Sequence, residues 1–157
     1  MTKEKINDYT LRISQANRSE MIVILYDMAN QYIEDAILAA DGNDHEALRD
    51  NAGKAGRVVS DLIGALDYEN ELAALLMQCY NFIQSQISLA VIRNRRDELD
   101  IAARLLNELG SSFREIAKTD NSKPVMGNSE AIYAGLTYGK SAVYDSLTTE
   151  VNRGFTV

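Results

Sequence analysis

The sequence predicts an all-α protein: an antiparallel up-and-down four-helix bundle with an N-terminal arm and a candidate short fifth helix in the C-terminal tail. Three observations carry this. Apolar residues recur at alternating steps of three and four along four stretches of helical length. Gly, Asn and Asp punctuate the joints between those stretches. The one proline, Pro124, lies beyond all four, where its cost of about 3 kcal/mol in a helix interior is not incurred. The 157 residues fit a single domain, divided into an arm (1–16), a bundle (17–118), and a linker and tail (119–157).

The arm is polar with isolated apolar positions. Tyr9, Leu11 and Ile13 alternate with polar residues, which predicts an extended or weakly helical segment. The first long helix is expected over Arg18 to Ala40, opened by an Asn17–Glu20 capping box and closed by Gly42 in a left-handed C-cap. It carries two apolar stripes. One is Met21, Leu25, Met28, Tyr32 and Ala36; the other is Ile22, Tyr26, Ala29, Ile33 and Ile37. The second helix is expected over Asp44 to Leu66, capped by Asn43 and Glu46, with the seam Leu48, Ala52, Ala55, Val59, Leu62 and Leu66. The third covers Glu71 to Arg93, with Leu72, Leu76, Cys79, Ile83 and Ala90 in line. The fourth covers Asp97 to Lys118, with Ala102, Leu105, Leu109 and Ile116. Short connections make neighbours antiparallel. After a polar linker, Ile132, Leu136, Val143 and Leu147 return to helical spacing. Tyr133, Tyr138 and Tyr144 predict that residues 130–147 dock as a helix, although Gly135 and Gly139 oppose it.

Composition narrows the function. A formal net charge of −7 opposes a nucleic-acid partner, which needs a basic face to displace counterions. The single cysteine, Cys79, cannot close an intramolecular disulfide, and with no second histidine to activate it reads as a small buried side chain. MTKEKINDYT has no apolar run of the signal-peptide kind and no stretch would span a bilayer, so the cytoplasm is the expected address. A di-iron bundle needs paired Glu-x-x-His motifs, whereas His45 is the only histidine and sits at a helix start. There is no phosphate-binding glycine motif. No catalytic residue, metal or cofactor is expected, and the chain reads as a binding protein rather than an enzyme. Arg93, Arg95 and Arg96 are expected to face the negative end of the third helix rather than a nucleic acid.

The candidate partner site follows from small and surplus apolar residues. The second helix holds Gly53 and Gly56 next to Ala52 and Ala55, at a cost of about 1 kcal/mol per glycine relative to alanine. Either the bundle packs tightly there or a partner settles into a shallow groove. Val58 and Ile63, off the seam, and Tyr80, Phe82 and Ile87 on the third helix give more apolar width than a seam requires. Tyr9, Leu11 and Ile13 are expected to lie over this groove in the free protein, hiding it until a partner arrives.

Three stretches carry a family resemblance. ILYDMA at 24–29 is similar to M-L-Y-D-G-A. KAGRVVSDLIGALD at 54–67 is similar to K-A-x-x-I-I-x-x-L-x-x-x-L-D. CYNFIQSQISLA at 79–90 is similar to L-Y-D-Y-M-x-x-x-L-x-x-A. In this order and spacing, over about Ser14 to Ile116, the chain resembles the flagellar secretion chaperones that hold flagellin (FliS). Phe113 stands where that family often has a tryptophan. Asn17-Arg18 replaces its usual Ser-Pro, Tyr9 does not align with its N-terminal tyrosine, and the tail is longer than in many members. The resemblance implies a cytoplasmic chaperone, without cofactor. It would bind the C-terminal segment of newly made flagellin, prevent premature polymerisation and aid delivery to the flagellar type III export apparatus, whose components are further candidate partners. Neither nucleic-acid binding nor membrane insertion is expected, and the chain is expected as a monomer or weak dimer. The alternative is a structural or regulatory helical adaptor pairing with another folded protein of a secretion system; a degenerate metal bundle is the third reading.

Overall fold

The computed structural model describes residues 1–127, and every described element is helical. The helices are α1 (Lys3–Gln15), α2 (Arg18–Asp41), α3 (His45–Gly64), α4 (Ala73–Arg93) and α5 (Asp97–Ala117). The chain divides into two compact units. Among the described residues, one is Met1 with residues 19–121; the other is residues 2–18 with 122–127. The expected helix over 130–147, with its three tyrosines, lies outside the described residues.

The arm is a helix and not an extended segment. Thr2 caps it, its side chain accepting from the Lys5 N–H at 3.3 Å, and Glu4 stands in the first turn, where a negative charge suits the helix dipole. No Gly or Pro interrupts residues 3–15. The alternation of Tyr9, Leu11 and Ile13 spans too few residues to separate a period of two from one of 3.6. In the same unit, the Val125 N–H donates to the Ala16 carbonyl at 3.0 Å.

In the larger unit α2 to α5 form the expected four-helix bundle. α2 contributes Tyr26, Ala29 and Ile33 of its second stripe to the core, together with Ala36 of the first, while Leu25, Met28 and Tyr32 are half-buried against it. The α3 seam from Leu48 to Leu62 is buried throughout. α4 packs against both α3 and α5 and buries Tyr80, Ile83, Ile87 and Ala90. This corrects the sequence reading of α4: Cys79 is half-buried and Leu72 exposed, because the core stripe runs one step further round the helix.

The α2–α3 joint also differs from expectation. Asn43, not Gly42, takes the left-handed conformation, with φ 56°. Its N–H donates to Ala40 O at 3.1 Å and the Asp44 N–H donates to Ala39 O at 2.9 Å, the crossed pair of a Schellman stop. Asp44 then caps α3 in place of Asn43, accepting from the Ala47 N–H at 3.0 Å.

Two contacts fix the centre. The Tyr26 and Tyr80 hydroxyls share a hydrogen bond of 2.5 Å, which lets both rings be buried with their polar ends satisfied. Gly110 on α5 lies against Tyr26. A Cβ there would stand 3.2 Å from the tyrosine Cβ and 3.3 Å from its Cγ, so glycine lets the two helices approach.

The arginine cluster is consumed by carboxylates at the α4–α5 joint. Arg93 bonds Glu98 at 2.5 Å, and Arg96 reaches Asp41 at 2.6 Å while forking onto Asp100 at 3.1 Å through both Nε and Nη2. The bond from Arg93, helped by the backbone N–H of Glu98, holds the Glu98 carboxyl below the usual carboxylate range. A depressed folded-state pKa stabilises the fold above the unperturbed value of 4.5, and this is lost as pH falls through the folded value. Glu98→Gln is therefore expected to lower the urea midpoint at neutral pH and to match the wild type in acid. Equal losses at both pH values would show that the charge of Glu98 is not what stabilises the joint.

Candidate functional site

One opening on the bundle is bounded by α3 and α4. Its volume is 540 Å³, and its lining includes Ala52, Gly53, Gly56, Ile87, Val91 and Ile92. Helical spacing places Ala52, Gly53, Gly56 and Ser60 along one flank of α3, and Gln84, Ile87, Ser88 and Val91 along the facing flank of α4. Gln84 spans the two helices at one end, donating to Ser60 Oγ at 2.8 Å and more weakly to the Gly56 carbonyl at 3.4 Å.

The two glycines decide what kind of surface this is. A Cβ added at Gly56 would meet nothing within 4 Å, and one at Gly53 only the Arg57 Nη1 at 4.0 Å. The contrast with Gly110 is direct: there a neighbouring side chain fills the space, and here the space is open. Tight internal packing is therefore not what the α3 glycines serve. They form an open floor on which another backbone can lie.

A second groove, of 480 Å³, runs between α2 and α3 past Met28, Tyr32, Lys54, Val58 and Asp61. Lys54 lies 6.0 Å above the Tyr32 ring and is bonded to Asp50 at 2.6 Å. A third surface is the outer face of α4, where Leu75, Phe82 and Ile92 are exposed.

The structure brings together three of the seven residues singled out from the sequence: Gly53, Gly56 and Ile87 share the α3–α4 groove. Val58, 6% exposed, belongs to the core in the free protein, with its edge on the α2–α3 groove. Tyr80, at 1% exposed, is a core residue rather than a groove residue, because Tyr26 supplies a partner for its hydroxyl. Ile63 is half-buried against the core and lines neither groove. Phe82 is 47% exposed on the outer face of α4. Tyr9, Leu11 and Ile13 are half-buried residues of α1, in the other unit. Sequence reasoning missed Arg49, Arg57, Val91 and Ile92, all of which line the main groove. The signal was present: Arg49, Gly53 and Arg57 follow one another at steps of four.

Among the described residues no group of three or more His, Cys, Asp or Glu side chains is placed to hold a metal ion. No described helix is long and apolar enough to cross a membrane. The family model described as flagellar protein FliS matches residues 3–120, which is 118 of the 157 residues and all five helices. The chain belongs to the FliS family. A search of curated proteins found no match. FliS proteins are flagellar export chaperones, and a four-helix bundle whose main groove is lined by small and apolar residues is consistent with a polypeptide as the partner.

Proposed function

We propose that this FliS protein holds the C-terminal segment of newly made flagellin in the cytoplasm, prevents its premature polymerisation, and aids its delivery to the flagellar type III export apparatus. The observation that carries the reading is the open floor at Gly53 and Gly56, beside Ile87. A flagellin segment lying there as a helix could bring its backbone close to α3 and bury its apolar side chains against α4. Longer segments would go on to Phe82 or to the edge of Val58, with Tyr80 and Ile63 supporting the site from within. Ordering such a segment costs conformational entropy, which the buried apolar area offsets.

Calorimetry of the purified chain with a flagellin C-terminal region is expected to show about one site and a negative heat-capacity change, the marker of apolar burial. Absence of binding at high micromolar flagellin would sink the reading. Residues 1–14 enter it as an internal competitor, since α1 carries Tyr9, Leu11 and Ile13 and offers the same kind of apolar helix. Deleting residues 1–14 is expected to tighten flagellin binding. Weaker binding would make the arm part of the site.

A second reading, a helical adaptor for another folded protein of the secretion system, is favoured by the exposed Leu75, Phe82 and Ile92 on α4. Retention of a folded partner by a chain that ignores unfolded flagellin would select it.

A further inference from the structure

The groove between α3 and α4 is walled by charge of one sign. Its only ionisable lining residues are Arg49 and Arg57, on the α3 rim. The chain as a whole is acidic, at −7, so a groove with two cations and no carboxylate stands against the average surface. Most other cations of the bundle are paired, exposed Arg104 on α5 being an exception. Lys54 pairs with Asp50, Arg93 and Arg95 with Glu98, Arg96 with Asp41 and Asp100, Arg114 with Asp27, and Lys118 with Glu115. Arg49 and Arg57 make no ion pair among the described residues, and both are exposed. They are eight residues apart on one helix, a separation along its axis of about 12 Å.

We infer that the segment received by this groove is an acidic amphipathic helix: small and apolar side chains face Gly53, Gly56 and Ile87, and two carboxylates about two turns apart on one flank meet Arg49 and Arg57. The inference rests on the reading of the α3–α4 groove as the site of a bound helix and adds the chemistry that the helix must carry. Each guanidinium presents a planar fork of N–H donors that matches a carboxylate. Two forks at fixed spacing set the register of a helix on a floor that is otherwise smooth. Rim charges of this kind also speed encounter and make it sensitive to salt, whereas the apolar floor sets how long the complex lasts.

The test uses the full chain and three synthetic amphipathic peptides with one common apolar stripe. Their flanks carry two Glu, two Gln or two Lys, two turns apart. The Glu peptide is expected to bind at least about tenfold tighter than the Gln peptide at low ionic strength, with the Lys peptide weakest, and the advantage is expected to shrink as salt is added. In the double variant Arg49→Gln, Arg57→Gln, the Glu and Gln peptides should bind alike, with the melting temperature unchanged because neither arginine has a partner to lose. The inference is overturned if Glu and Gln peptides bind the wild type equally, if none binds at high micromolar concentration, or if the Glu advantage survives in the double variant. Because no flagellin enters this experiment, the flagellin reading can fail in calorimetry while the acidic-helix inference stands, and the converse also holds.

Discussion

Replacing Gly56 with leucine is expected to leave the protein folded, raise its melting temperature slightly and abolish its hold on flagellin. The stability gain follows from helix propensity, since leucine is favoured over glycine in a helix interior by nearly 1 kcal/mol. The added Cβ meets no steric cost, because nothing lies within 4 Å of it. The rest of the side chain would stand in the 540 Å³ groove, where the partner backbone belongs. A helix lifted off its floor loses contact along its whole length, so the binding loss should reach the level of an interface hot spot, about 2–4 kcal/mol. Thermal melting and calorimetry on one preparation would check both halves. A destabilised variant would place Gly56 in the core, and a stable variant with unaltered binding would move flagellin to another face.

Adjacent residues on α3 should respond very differently to aspartate. Leu62 is 1% exposed and sits in the core with Val59. A carboxylate there would be stranded without a partner, and Leu62→Asp is expected to unfold the protein, a loss of more than about 4 kcal/mol. Ile63 lies about 100° further round the helix and is only half-buried against that core. Its aspartate can turn toward water, so a loss of about 1–2 kcal/mol is expected, mostly from apolar packing. Far-UV circular dichroism through a urea titration would separate the two. Unfolding by Ile63→Asp as complete as that by Leu62→Asp would make Ile63 a core residue in practice.

The helix boundaries were legible in the sequence because local chemistry sets them. Arg18 and Asp97 open helices where expected, and Arg93 closes one. The stop after α2 was placed correctly, but its left-handed residue was assigned to Gly42 when Asn43 adopts it. Asparagine tolerates that conformation, and a Gly-Asn pair does not reveal which of the two will take it. The sequence leaves the arm open between extended and weakly helical because five alternating residues fit either period; it is the helix α1.

The candidate site was half legible. Two glycines three residues apart on one helix suggested a close approach, but only geometry separates Gly110, which faces Tyr26, from Gly56, which faces open space. Apolar width on α4 suggested a surface, yet Tyr80 turned inward because another helix supplied a hydroxyl for its own. Such pairings join residues fifty-four positions apart, and a single sequence carries no mark of them.

The tyrosine pair at the centre of the bundle has an optical consequence. The chain has no tryptophan, so its near-ultraviolet absorbance comes chiefly from tyrosine. Burial, and then the bond to Tyr80, push the Tyr26 phenol far above its usual value of 10.0, and burial also raises Tyr80. An acid whose pKa is higher in the folded state than in the unfolded state loses fold stability as pH rises past the unfolded value. In strong alkali the unfolded chain is therefore drawn off by ionisation of these two phenols. Phenolate absorbance should then rise in two steps, an immediate one from exposed tyrosines and a slower one paced by opening of the bundle. The protein thus carries an unlabelled clock for its own unfolding, readable in a spectrophotometer after a pH jump.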